Sequence, residues 1–230
     1  ADKQKLFSTF ILSNENYNSL KNNPNIKVAL GHCRKASVGH VTIEQAHPII
    51  VKDEEDNIEL VMIHNGTLLN HKELAEKYDI KTTFGESDSM IFARIVNKVG
   101  FDVLSEYNGA GAFVFHKPKT GDVYFYQGAS KNTEYSKELT EERPFFLISQ
   151  SGGYYFSSIG EILNLINTEK EKKVLSLEPN HLYHLVNGRI KELTHYDRKD
   201  RYQTETKYYG GTSIITNQNT FGSKNNNVNN

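Results

Sequence analysis

The chain has 230 residues, of which 37% are hydrophobic and 11% aromatic, so one sizeable packed domain can be built. Its formal net charge of −1 gives no electrostatic basis for nucleic acid or an anionic membrane as the main partner. No apolar run reaches the length of a membrane span and no signal-peptide core appears, so a cytoplasmic location is expected; the single cysteine, Cys33, excludes an internal disulfide framework and a Cys-cluster metal site.

In chain order, the first predicted strand is the apolar run 26–30, and the second is Leu60 to Ile63; both end in polar, Gly-bearing loops. Asn70 with Glu73 three residues on predicts a capping box that opens a helix from His71 to Tyr78. Ser87 or Asp88 caps a second helix, with Met90, Ile91, Ile95 and Val96 on one face and Gly100 as its stop. Three hairpins follow. Gly111–Phe115 and Val123–Tyr126 flank a Lys117-Pro118-Lys119-Thr120-Gly121 turn. Phe145–Ile148 and Tyr154–Phe156 flank Ser151-Gly152-Gly153. Leu182–Val186 and Arg189–Leu193 flank Asn187-Gly188. Between the last two, Gly160 to Asn167 predicts a short apolar helix.

From Thr204 to Asn230 the chain turns rich in Asn, Thr, Ser and Gly, and is expected to be a solvated, disordered tail behind a domain over residues 1–203. Its TSIITNQNTF piece could instead pair as a strand. Consecutive hairpins with helices between them predict an α+β fold of mostly antiparallel sheets, covered by helices.

Polar residues gather where strands end. Gly31 to His40 (GHCRKASVGH), Ala46-His47-Pro48, His64-Asn65-Gly66 and Glu86-Ser87-Asp88-Ser89 form four clusters, and loops leaving a rigid scaffold are where sites are built. Arg34 offers a planar fork suited to a carboxylate. Asp88, in the first turn of a helix, gains from the positive end of the helix dipole. Together they complement the two charged ends of an amino acid. The Asn65 amide and the Gly66 backbone N–H make a pair of oxyanion donors. Taken singly, each residue also fits a plain structural role: a surface ion pair for Arg34, a turn for Asn65-Gly66, a cap for Asp88. The histidines His32, His40, His47, His64 and His71 lack the spacing of a helical metal motif, and no metal site is expected.

The order of these clusters resembles the class II glutamine amidotransferase domain, a branch of the N-terminal-nucleophile hydrolases. The succession is GHCRKASVGH, then AHP, HNG, ESDS and Gly109-Ala110-Gly111-Ala112-Phe113, with weaker likeness through Phe146 and Tyr155 to Ser158. The resemblance implies a four-layer αββα sandwich that hydrolyses the side-chain amide of L-glutamine, with no metal or organic cofactor. It further implies that Arg34 holds the substrate's α-carboxylate, Asp88 its α-ammonium, and Asn65 and Gly66 the oxyanion. Ser37 and His64 join Arg34 and Asp88 among the substrate-binding residues. Lys35 and Val38 stand where relatives carry other residues. Family chemistry uses an N-terminal cysteine, whereas this chain opens with Ala1 on a polar stretch. The resemblance therefore implies that the first strand or strands, with the nucleophile, lie upstream. The alternative is a non-catalytic amino-acid-binding or interaction module of the same fold. An ammonia acceptor would sit on a synthetase or other acceptor-binding partner chain.

Overall fold

A computed structural model describes residues 23, 25–32, 39, 42, 44–128, 143–169 and 171–196, and the strands at 204–209 and 212–217. The chain divides into two compact units, residues 1–32 and 33–230. In the first unit, Asn23 turns the backbone: its carbonyl accepts from Ile26 N at 3.3 Å and its Oδ1 from Asn25 N at 2.9 Å. Residues 26–30, predicted as a buried strand, form no strand. Ile26, Val28 and Leu30 are half-buried in alternation, but an apolar alternation becomes a strand only when a neighbour completes the ladder.

The second unit is built on a six-stranded antiparallel sheet of order β1-β2-β3-β4-β8-β9. Its strands are β1 (Ile49–Lys52), β2 (Ile58–Leu68), β3 (Gly109–Lys117), β4 (Asp122–Gly128), β8 (His181–Val186) and β9 (Arg189–His195). Between β4 and β8 the chain leaves to make a second sheet from β5 (Phe146–Gln150), β6 (Gly153–Ser157) and β7 (Leu175–Ser176), ordered β6-β5-β7. Tight turns with positive φ at Ser151 and Gly152, and at Asn187 and Gly188, close the hairpins where the sequence predicts them.

Alternation along the strands sorts the core into two faces. Leu60, Met62, Phe113, Phe115 and Tyr126 point to one side of the large sheet. There they meet Ile91, Phe92, Ile95 and Val96 of helix α2 (Asp88–Val99), backed by helix α1 (His71–Lys77). On the other side Phe125 meets Phe145 and Phe156 at ring-centroid distances of 5.7 and 5.6 Å, joining the two sheets. Helix α3 (Gly160–Ile166) packs on β5 and β6, with Leu163 buried. Helix, sheet, sheet and helix follow in that order, an antiparallel α+β sandwich of four layers.

The caps obey local chemistry with one exception. Ser87 accepts from Met90 N at 3.2 Å and opens α2, while Gly100 at φ 82° ends it by donating to Val96 O. Asn70 does not form the predicted capping box. Its amide instead donates to Glu106 O at 2.9 Å and accepts from Asn108 N at 3.1 Å, so tertiary contacts outcompete the cap. Within the segment predicted as a tail, β10 (Thr204–Tyr209) and β11 (Thr212–Asn217) pair with each other as an antiparallel hairpin. The Tyr-rich and Ile-rich stretches are locally β-forming, a signal that the Asn-rich composition of the whole segment hides. No helix among the described residues is long and apolar enough to cross a membrane.

Candidate active site

The third predicted cluster is not a loop. Strand β2 runs through His64-Asn65-Gly66 to Leu68, pairing Asn65 with Ala112 and Gly66 with Gly111 of β3. The reason lies in the neighbouring strands. Gly66, Gly111 and Gly128 stand abreast on β2, β3 and β4. A Cβ at Gly111 would lie 2.6 Å from Tyr107 Oη and 2.7 Å from His64 Nε2, and one at Gly128 would lie 2.7 Å from the Tyr107 ring. The glycine row is therefore the slot into which two ring side chains seat beneath the sheet. His64 is buried, stacked on Phe113 at 4.2 Å with the rings nearly parallel. Asn65, between two inward positions, is exposed.

Helix α2 approaches this stretch with its N-terminus. Asp88 is 4% exposed, and its Oδ2 accepts from the Leu68 backbone N–H at 2.7 Å. The next residue, Ser89, also buried, shares a 2.9 Å hydrogen bond with His64 Nδ1, its direction set by the imidazole tautomer. Two consecutive helix residues thus grip β2 at positions 64 and 68, and Asn65 and Gly66 lie between the grips. A carboxylate has about four lone-pair directions, so one amide bond leaves Asp88 acceptor capacity for an ammonium.

The segment before α2 is pinned as well. Gln45 donates to Gly85 O at 2.8 Å, and Glu86 pairs with Arg94, one helix face along, at 2.6 Å. Gly39, at φ 81°, closes against both Gln45 and Ser87: a Cβ there would lie 2.5 Å from Gln45 Oε1 and 2.8 Å from Ser87 N. Gly39, the described residue near the end of the GHCRKASVGH cluster, is thereby set at the entrance to α2. Beside it opens a cavity of about 440 Å³, lined among others by Gly39, His71, Glu76, Thr83 and Glu86.

The structure brings His64, Asn65, Gly66 and Asp88 into one neighbourhood. Arg34 and Ser37 lie outside the described residues. Ser89 belongs to the fourth sequence cluster without a role of its own there, and Gln45 and Tyr107 stand outside all four clusters. Ser89 could have been suspected from its place beside Asp88, whereas Gln45 and Tyr107 act over sequence separations of 40 residues and carry no local signal. Among the described residues no group of three or more His, Cys, Asp and Glu side chains is arranged to hold a metal ion.

Comparison with known proteins gives the same direction. A family described as a glutamine amidotransferase domain matches residues 20–196, well over half of the chain. A Methanocaldococcus jannaschii protein named for a glutamine-hydrolysing asparagine synthetase is 28% identical over 143 residues, 58% of this chain and 26% of that protein. A glutamine–fructose-6-phosphate aminotransferase (isomerizing) of Streptococcus pyogenes serotype M6 is 29% identical over 104 residues, 41% of this chain and 17% of that protein. The matched stretch spans about a quarter or less of the length of these relatives.

Proposed function

Because the chain belongs to the glutamine amidotransferase domain family, we propose that it binds L-glutamine and hydrolyses the side-chain amide to glutamate, releasing ammonia for an acceptor held elsewhere. Asp88 takes the α-ammonium and Arg34 the α-carboxylate, with Ser37 lining the pocket and His64, buried beneath Gly66, supporting it from within the core. Asn65 and Gly66 stabilise the oxyanion that forms when a thiolate adds to the amide carbonyl. Collapse of that intermediate breaks the C–N bond, ammonia leaves with a proton, and water releases glutamate from the resulting thioester. The attacking thiolate, and the acid that protonates the leaving nitrogen, are assigned to no residue of the chain.

The observation that carries this reading is the Leu68–Asp88 hydrogen bond, which holds a buried carboxylate three residues along β2 from Asn65. At about 3.3 Å per strand residue, that separation is about 10 Å. Glutamine's ammonium and amide oxygen lie about 6 Å apart when extended, so with a hydrogen bond of about 2.8 Å at each end the bound ligand reaches about 12 Å, the scale of that strand segment. The names of the two relatives, a synthetase and an aminotransferase, support an acceptor site on a separate domain or partner chain.

The test is calorimetric binding of L-glutamine to the natural full-length protein, with ammonia release measured in parallel. Binding that weakens when the α-amino group is deleted from the ligand, and that is lost in Arg34→Ala, supports the assignment. A protein that does not bind glutamine sinks it.

A further inference from the structure

The Asp88–Leu68 and Ser89–His64 bonds have a joint consequence. Five residues of β2, His64 to Leu68, are held at their two ends by two adjacent residues of one helix turn. Both bonds are buried, so neither competes with water. The His64 ring is further fixed by stacking on Phe113, edge-on to Tyr107 at 6.5 Å, and its Nε2 lies beneath Gly66 and Gly111. A tilt of the ring toward the strand brings Nε2 against the Gly66 and Gly111 backbone.

We infer that Ser89 is a positioning residue: through His64 it sets where Asn65 and Gly66 stand relative to Asp88, so that oxyanion donors and ammonium acceptor are held at one fixed separation. This rests on the glutamine-hydrolysing reading above and adds to it the residue that couples the two halves of the site. Asp88 is the half of the clamp that faces the ligand. Ser89 touches no ligand and acts only through the histidine. Loss of its hydroxyl loosens one end of the stretch while the Leu68 anchor stays. Donors that shift by a fraction of an ångström weaken the transition state more than the ground state.

The experiment compares Ser89→Ala and Ser89→Thr with the wild type in the natural full-length protein. Two readouts are taken: steady-state glutamine hydrolysis, and the ¹⁵N resonances of the His64 ring and of the Asn65 and Gly66 amides. In Ser89→Ala, kcat should fall about 10-fold with KM changed less than about 2-fold, because only the oxyanion geometry is disturbed. The three resonances should move. Ser89→Thr, which keeps the hydroxyl, should restore both. Loss of activity shared equally between kcat and KM, or not rescued by threonine, overturns the inference. If the wild type neither binds nor hydrolyses glutamine, the functional reading falls and the spectra decide the clamp alone: Asn65 and Gly66 amides that do not respond to Ser89→Ala refute it.

Discussion

Leu68 N donates to Asp88 Oδ2 over 2.7 Å in a buried setting, joining the end of a central strand to the first turn of the helix that covers it. One bond therefore does two things: it satisfies a strand-end amide and it aims a carboxylate. The two effects separate in Asp88→Asn, where the side-chain carbonyl can still accept from Leu68 but the charge is gone. KM for glutamine should rise about 10- to 100-fold, the worth of a charge-assisted bond, while the thermal midpoint changes little. Asp88→Ala should lose both, because the Leu68 amide is left buried without its acceptor, at a cost of about 1–3 kcal/mol. Melting curves and initial rates on the two variants distinguish the roles.

Asn65 is exposed, so Asn65→Ala should leave the melting temperature unaltered. As one of two oxyanion donors it should nevertheless lower kcat about 10²- to 10³-fold with a small effect on KM. An unaltered kcat would remove Asn65 from the reaction.

Gly111→Ala tests the slot beneath the sheet. The added methyl would lie 2.6 Å from Tyr107 Oη and 2.7 Å from His64 Nε2, and neither ring can retreat from the Phe92 and Phe113 packing. Overpacking of this kind costs about 1–3 kcal/mol, which lowers the melting temperature by several degrees in a chain of this size. Adding Tyr107→Phe removes the nearer clash, so the double variant should recover part of the loss. A single variant as stable as the wild type would show that the glycine row is not a steric requirement.

Asp53 governs part of the acid response. In the turn between β1 and β2, desolvation pushes its pKa up, but bonds from Lys119 Nζ at 3.0 Å, the Asn57 side chain and the Asn57 backbone outweigh this and hold it down at about 2, against an ordinary 3.8. A group depressed on folding stabilises the fold above its unfolded pKa and loses that contribution as the pH falls through the folded value. Asp53→Asn should therefore flatten the decline of stability between pH 3.8 and about 2, measured by urea unfolding across that range. A variant whose acid limb matches the wild type would contradict the assignment.

Much of this molecule was legible before any coordinates. The hairpins at Ser151-Gly152 and Asn187-Gly188, the Ser87 cap and the Gly100 stop are local events, decided by φ preferences and by side chains reaching two or three residues away. The clusters that resemble the family were readable for a related reason: each is a short run whose chemistry lies in its own residues. Where local signals misled, a partner distant in the chain had the stronger claim. Asn70 gave up its cap to Glu106 and Asn108, and His64-Asn65-Gly66 stayed in a ladder because Gly111 stands opposite.

From the order of its residues alone, this chain determined its three hairpins between residues 111 and 193, its helices, its antiparallel class and the chemical types gathered at the candidate site, since propensities and turn geometry act over a few positions. Tertiary structure alone decided that Ser89 meets His64, that Asp88 meets Leu68, and that Gly66, Gly111 and Gly128 line up over the His64 and Tyr107 rings. Those contacts join residues 17 to 45 positions apart, and their geometry follows from which faces two sheets and a helix bury against each other, a property of the packed whole that no window of sequence contains.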